Sequence, residues 1–341
     1  MLNIGHVVTC NDIPLSYIYK ICKYKISREI KHYLIVDKPC GYVNYFRQAN
    51  IACLILKDEI LFKNALKKMN IINFHWDSYD NRLHNLALEI KTPFLVTLYG
   101  SEKLPRSIPI AVCPFNYIRQ IQSYQDRFVV IHEGIDLELF ARISKHRMNL
   151  TRKRWTLVAP DSATQCNDKF WITIGGVLLN HPDIELKIIA PGWKSVGRTK
   201  AINDKRAIYR HIAQAHLAIY TPTAPTMLKI QESFCFVMIA MAMGIPCVVS
   251  KNKITDALIK HKINGIFVST DKPAYFVKSI INVLEDSKLR KRCVLNAKQL
   301  VQDRFDIMVN VKKYESLLNT IAGTNSAGLG HSASFSGALT E

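Results

Sequence analysis

The chain has 341 residues, 48% of them hydrophobic and 21% charged. That is too long for one ordinary core and too apolar for a disordered chain, so two globular domains are expected. Lysine and arginine number 46 against 27 acids, a formal net charge of +19; this either suits an anionic partner (nucleic acid, an acidic membrane face, a phosphorylated substrate) or reflects a generally basic composition.

The nine cysteines are odd in number and form no C-x-x-C pair. Several lie in apolar runs, where a thiol behaves as a small hydrophobe, so a reducing compartment is expected rather than a zinc site or a disulfide framework. The opening residues MLNIGHVVTCND lack the basic start and long apolar run of a secretory signal. The apolar stretch from Phe234 to Val249 has 16 residues and contains Gly244 and Pro246, short of the roughly 20 that a membrane span needs. A cytoplasmic protein is expected, at most peripheral on the inner face of a membrane.

In chain order, the pattern predicts strands at Ile4 to Val8, His32 to Val36, Ile51 to Leu56, Ile71 to Phe74, Phe94 to Leu98, Ile110 to Cys113 and Phe128 to Ile131. Helices are predicted between them at Ser16 to Cys22, Ile60 to Met69 and Leu83 to Ile90. From Ala141 to Arg154 the apolar pattern fades and six cations cluster, which reads as a solvated linker or a binding patch. A second series follows, with strands at Thr156 to Ala159, Leu186 to Ala190, Leu217 to Tyr220 and Ile266 to Val268. Its helices are predicted at Phe170 to Leu179, Ala207 to Gln214, Lys272 to Glu285, Ser287 to Val301 and Val309 to Ile321. Residues 322–341 are mostly Ala, Gly, Ser and Thr and read as a disordered tail. Strands alternating with helices imply β-α-β units and parallel sheets, whose ligands bind outside the strands' carboxyl ends.

The stretch Glu232 to Ser250, ESFCFVMIAMAMGIPCVVS, organises the second series. It reads as loop, buried helix, glycine stop and strand. A helix start beside an acid and small residues suits a phosphate-bearing ligand, because free N–H groups and the positive end of the dipole point there.

Four segments together resemble family 4 glycosyltransferases (glycosyl transferases group 1, GT-B fold), over residues 3 to 318. They are Phe74-His75-Trp76, Thr92 to Ser101 (TPFLVTLYGS), Val130 to Phe140 (VIHEGIDLELF), and the stretch from Glu232 continued through Asp256 and Asn264 to Val268. The resemblance implies an α/β chain with two Rossmann-like domains facing a central cleft. It places an acceptor-side domain at 1–140, a basic linker at 141–154, a nucleotide-sugar donor domain at 155–321 and a tail at 322–341. It implies transfer of a sugar from a nucleotide-diphosphate sugar, with retained configuration, to a cell-envelope glycan or lipid-linked acceptor. No cofactor and no metal are implied, and no nucleic acid; an anionic membrane surface is a possible partner.

Carried over by residue, the resemblance makes Glu232 the group that contacts the donor sugar. Lys169, Ser233, Phe234, Cys235 and Asp256 are donor-side candidates, and Tyr99, Gly100 and Asp77 acceptor-side ones. His75 is either a hydroxyl-orienting catalytic group or a structural residue beside Trp76. Asp77 is either a base or a helix cap, and Lys169 either neutralises a phosphate or is solvated. The family's second glutamate, eight positions after the first, has no counterpart: aligned back from Gly244-Ile245-Pro246, Ile239 stands there. The Gly-Arg pair after the first strand of the donor domain is also missing. Only 26 residues lie between Gly100 and Arg127, where the family usually has an additional helix, and Trp193 to Gln231 lacks an expected strand. A catalytically degenerate GT-B scaffold that binds a glycan or partner enzyme is the alternative reading.

Overall fold

The computed structural model describes residues 1–8, 15–38, 43–145, 154–160, 174–189, 199–202, 204, 207–221, 227–270 and 272–326. The chain divides into two compact units, Met1–Gly134 with the last helix, and Ile135–Asp306.

The first unit is built on a parallel sheet of seven strands: β1 (Leu2–Val8), β2 (Ile30–Val36), β3 (Ala52–Ile55), β4 (Ile71–Trp76), β5 (Phe94–Leu98), β6 (Ala111–Cys113) and β7 (Phe128–Val130). Their order is β3-β2-β1-β4-β5-β6-β7, so the winding reverses between β1 and β4. Strands covered on both faces read as continuous apolar runs, and every residue of β4 and β5 is buried. The helices of this series are α1 (Leu15–Lys23), α2 (Val43–Gln48), α3 (Glu59–Lys67), α4 (Asn81–Ile90) and α5 (Asn116–Gln120). Asp58 and Asp80 start α3 and α4 by accepting from the backbone N–H of Leu61 and Leu83 at 2.8 and 3.0 Å, which satisfies an otherwise unpaired amide. The short helices α2 and α5 carry too few periodic positions to stand out in the sequence.

The second unit has six parallel strands, β8 (Trp155–Pro160), β9 (Ile184–Ile189), β10 (Thr199–Ile202), β11 (Leu217–Tyr220), β12 (Cys247–Val249) and β13 (Ile266–Phe267), in the order β10-β9-β8-β11-β12-β13. Its helices are α6 (Leu137–Ser144), α7 (Ile208–Ala213), α8 (Met227–Ala242), α9 (Lys253–Leu258), α10 (Pro273–Glu285) and α11 (Ser287–Phe305), with a helical turn at 174–178.

Four expectations change. The segment expected to lack a strand holds β10, an edge strand paired in register with β9 from Thr199 opposite Leu186. Its sequence, TKAI, has too little apolar character to announce itself. The expected linker from residue 141 begins inside α6. That helix is capped by the Asp136 carboxylate on the Leu139 N–H at 2.8 Å, and Phe140 is buried edge-on against Tyr209. Between Gly100 and Arg127, α5 is present. Finally, α12 (Ile307–Ser326) packs into the first unit, not the second, and runs five residues into the expected tail. Its apolar face, Tyr314, Leu317, Leu318 and Ile321, repeats at helical spacing and joins the core that contains Ile4, Tyr17, Leu34 and Leu95. Among the described residues, no helix is long and apolar enough to cross a membrane.

Candidate functional site

On one face of the first sheet, adjacent strands place three imidazoles in a row. His6 Nδ1 lies 3.0 Å from His75 Nε2, and His6 Nε2 lies 2.9 Å from His32 Nδ1. His75 Nδ1 continues the row to the Tyr99 hydroxyl at 2.8 Å. Helices α1 and α12 cover this face with Tyr17, Cys22 and Tyr314, and the Tyr314 ring stacks on His6. Burial holds His75 down to about 3 and His32 down to about 4; His6 lies well below the usual imidazole range, through burial and its two imidazole neighbours.

All three rings are therefore neutral near pH 7, and each has one N–H. The N–H groups must all point the same way along the row, since a neutral ring that accepts at one nitrogen donates from the other. His32 Nε2, at the far end, has no partner among the described residues. His6, Cys22 and His32 also bring three potential ligand atoms within 4.8 Å of one another. No spacing in the sequence announces this cluster, because its residues come from three separate elements. Burial raises the Cys22 thiol above its usual range, so it is protonated, and the His6–His32 contact is already a hydrogen bond.

His75 is 1% exposed with both ring nitrogens engaged. This geometry fits the structural alternative and not the hydroxyl-orienting one. Tyr99 is buried with it. Asp77 and Gly100 do reach the carboxyl ends of β4 and β5, where the two following loops touch. A Cβ at Gly100 would stand 1.7 Å from the Asp77 carbonyl oxygen, so only glycine fits. Asp77 is not the helix cap; that role falls to Asp80. The Tyr79 N–H donates to Glu102 at 2.8 Å, and the Tyr79 hydroxyl meets His84 Nδ1 at 2.6 Å. The indole N–H of Trp76 is buried here without a partner among the described residues. Glu133, 3% exposed, accepts from Lys20 Nζ at 2.7 Å and from the Ser16 hydroxyl at 3.0 Å, tying α1 to the end of the unit.

In the second unit, α8 begins at Met227, five residues before Glu232. Glu232 and Ser233 are thus inside the helix rather than at its start. The unpaired amides of an α-helix are its first four, here those of residues 227–230, and not those of Ser233 and Phe234. The side chains of Glu232 and Ser233 lie outside the described residues, as does Lys169. Phe234 is buried, its ring edge-on to Phe305 at 5.7 Å; it serves the core and not a ligand. Cys235 is half-buried. Ile239 is buried on the same helix, so the position of the absent second glutamate is apolar in its surroundings as well as in its identity. Gly244 ends the helix at φ +73°, with its N–H on the Met241 carbonyl and the Ile245 N–H on Ala240. Asp256 lies in the first turn of α9, with Lys251 Nζ 3.5 Å away. The α9 start is capped reciprocally by Asn252 and Thr255 at 2.9 Å each way. The loops that follow β8, β9 and β11 fall at 161–173, 190–198 and 222–226, outside the described residues.

Residues 190–300 match the family model of glycosyl transferases group 1. Over 298 residues the chain is 24% identical to GalNAc-alpha-(1->4)-GalNAc-alpha-(1->3)-diNAcBac-PP-undecaprenol alpha-1,4-N-acetyl-D-galactosaminyltransferase of Campylobacter jejuni, covering 82% of this chain and 76% of that one. Among solved structures it is similar to a glycosyltransferase from Rickettsia africae, with TM-score 0.73 at 14% identity over 94% of this chain and 98% of that one. It is also similar to Anabaena HepE in complex with UDP and glucose, with TM-score 0.71 at 14% identity over 94% and 100%. The two parallel sheets with their helices are the GT-B fold of these glycosyltransferases.

Proposed function

We propose that this chain is a glycosyltransferase that takes a sugar from a nucleotide-diphosphate sugar and delivers it, with retained configuration, to a glycan or lipid-linked acceptor. The carrying observation is the family match over residues 190–300, which spans α8, its Gly244 stop and β12. Support also comes from the Campylobacter relative, whose name specifies an undecaprenol-linked acceptor, and from Anabaena HepE, solved in complex with UDP and glucose.

The leaving group is a nucleoside diphosphate, and its departure needs positive charge or aimed N–H dipoles. In this reading Lys169 and the first amides of α8 supply them, without a metal, and Glu232 holds the donor sugar. Asp256 with Lys251 flanks the donor from the first turn of α9. Asp77 and Gly100 remain on the acceptor side. Action takes place in the cytoplasm at the inner face of a membrane, where the net charge of +19 favours anionic lipid. A donor panel of UDP-, GDP- and ADP-sugars, read by diphosphate release and by calorimetry, tests it. Turnover of one donor that is lost in Glu232→Ala is expected; no turnover and no diphosphate binding across the panel overturns it.

A second reading is a GT-B scaffold without turnover. Buried Ile239 in place of the family's second glutamate favours it, because losing a hydrogen bond to a charged group weakens donor binding by about one to two decades. Turnover abolished by Glu232→Ala eliminates this reading.

A further inference from the structure

We propose that α11 and the turn leading into β13 form a docking face for an anionic lipid bilayer; in biological terms this rests on the proposed action at a membrane. Lys288, Lys291, Arg292, Leu295 and Lys298 follow the i, i+3, i+4, i+7 spacing that places side chains on one side of a helix, and all five are exposed. Arg292 Nε donates to the Lys262 carbonyl and Asn296 Nδ2 to the Ile263 carbonyl, both at 3.0 Å. These bonds draw the turn against the helix, with Lys262 at φ 59°. The turn carries Ile263, 50% exposed, and its carbonyl is held by the helix residue that follows Leu295, itself 71% exposed. These two exposed aliphatic residues share their segments with the four helix cations and with Lys260 and Lys262. No acid occurs between Asp256 and Asp271 or between Asp286 and Asp303, so the cationic stretch of each segment is uninterrupted by an acid.

Cations alone would accept any polyanion. The aliphatic tips decide for lipid: exposed branched side chains gain by entering the headgroup and acyl boundary, whereas a site for single-stranded nucleic acid adds aromatic platforms for bases. Among the nearby rings, His261 is already stacked on Phe267. The face lies where the chain enters β13, the end of the sheet opposite the strands' carboxyl ends. Docking there leaves the ligand-binding end of this unit uncovered.

Vesicle co-sedimentation of the full chain tests the proposal, comparing phosphatidylglycerol–phosphatidylcholine vesicles with pure phosphatidylcholine at low and at high salt. Binding to the anionic vesicles alone, lost at high salt, is expected. Each cation near such a surface contributes about fivefold, so the triple variant Lys260→Gln, Lys288→Gln, Lys291→Gln should bind on the order of a hundredfold more weakly. Ile263→Ser with Leu295→Ser should weaken binding while leaving its salt dependence. Thermal melts confirm that both variants fold. Absence of anionic-vesicle binding, an unchanged triple variant, or equal affinity for duplex DNA overturns the face. Donor turnover in detergent, which the triple variant should retain, is read in parallel. A chain that turns over donor without docking loses this inference alone; one that docks without turnover loses the transferase reading alone.

Discussion

Asn73 Nδ2 donates to the Tyr314 hydroxyl at 2.6 Å, joining β4 to α12 across 241 residues of chain. Asn73 in turn accepts from the Thr97 hydroxyl at 3.0 Å, and both residues are buried. The bond fixes the last helix to the first unit. A buried polar atom left without a partner costs about 1–3 kcal/mol, so Tyr314→Phe should destabilise the chain by about that amount. Denaturant melts measure it. A paired Asn73→Leu, Tyr314→Phe variant should be less damaged than the sum of its parts, since both polar groups leave together.

The imidazole row predicts acid sensitivity. The folded-state values of His75 and His32, about 3 and about 4, lie below the unfolded value of about 6.5. Below pH 6.5 the unfolded chain binds protons that the folded chain refuses, so stability falls with pH, from about 6.5 down toward 4. Each such ring costs about 1.4 kcal/mol per pH unit across that window. Stability measured in urea between pH 7.5 and 4.5 should show this slope, and His32→Gln should flatten it. An unchanged slope in His32→Gln removes this ring from the account.

Gly100→Ala places a methyl group against the Asp77 carbonyl oxygen, where a Cβ would stand at 1.7 Å. The obstacle is backbone, so the β4 and β5 loops must separate. Such overpacking commonly costs about 1–3 kcal/mol, and backbone contact puts this case at or above the upper end. Calorimetric melting checks it, and a melting temperature within a degree of wild type rejects the close approach.

Ile239→Glu asks whether the missing acid can be put back. Ile239 is buried on α8, and an unpaired carboxylate there must be desolvated or protonated. The expected result is a loss of several kcal/mol in stability, about 3 or more, with no gain in nucleotide-diphosphate affinity by calorimetry. Tighter donor binding with unchanged stability would show that position 239 faces the ligand.

Much of the fold was legible because its strands and helices carry their periods openly. Phe94 to Leu98 and Leu217 to Tyr220 match their observed bounds residue for residue, each a short β-rich run closed by turn residues. The buried helix, its glycine stop and the strand after it were equally plain in Ala240 to Val249. The helix start was not: Met227 to Gln231 extends the helix upstream of the unbroken apolar run, and Lys229, Gln231, Glu232 and Ser233 interrupt the pattern there, so the sequence alone puts Glu232 in a loop. The position of His75 near a strand end is plain in the sequence, but nothing local tells that both its nitrogens are spent inside the core.

What the sequence determined by itself are the properties local to a few residues: period, capping, glycine positions, net charge and the ordered segments of family resemblance. What only the tertiary structure decided are relationships between distant segments. The row of His6, His32 and His75, the return of α12 to the first sheet, and the hold of Arg292 and Asn296 on the Lys262 and Ile263 carbonyls each depend on which strands and helices become neighbours. That choice is made by burial of apolar faces over the whole chain, a sum that no single stretch of residues contains.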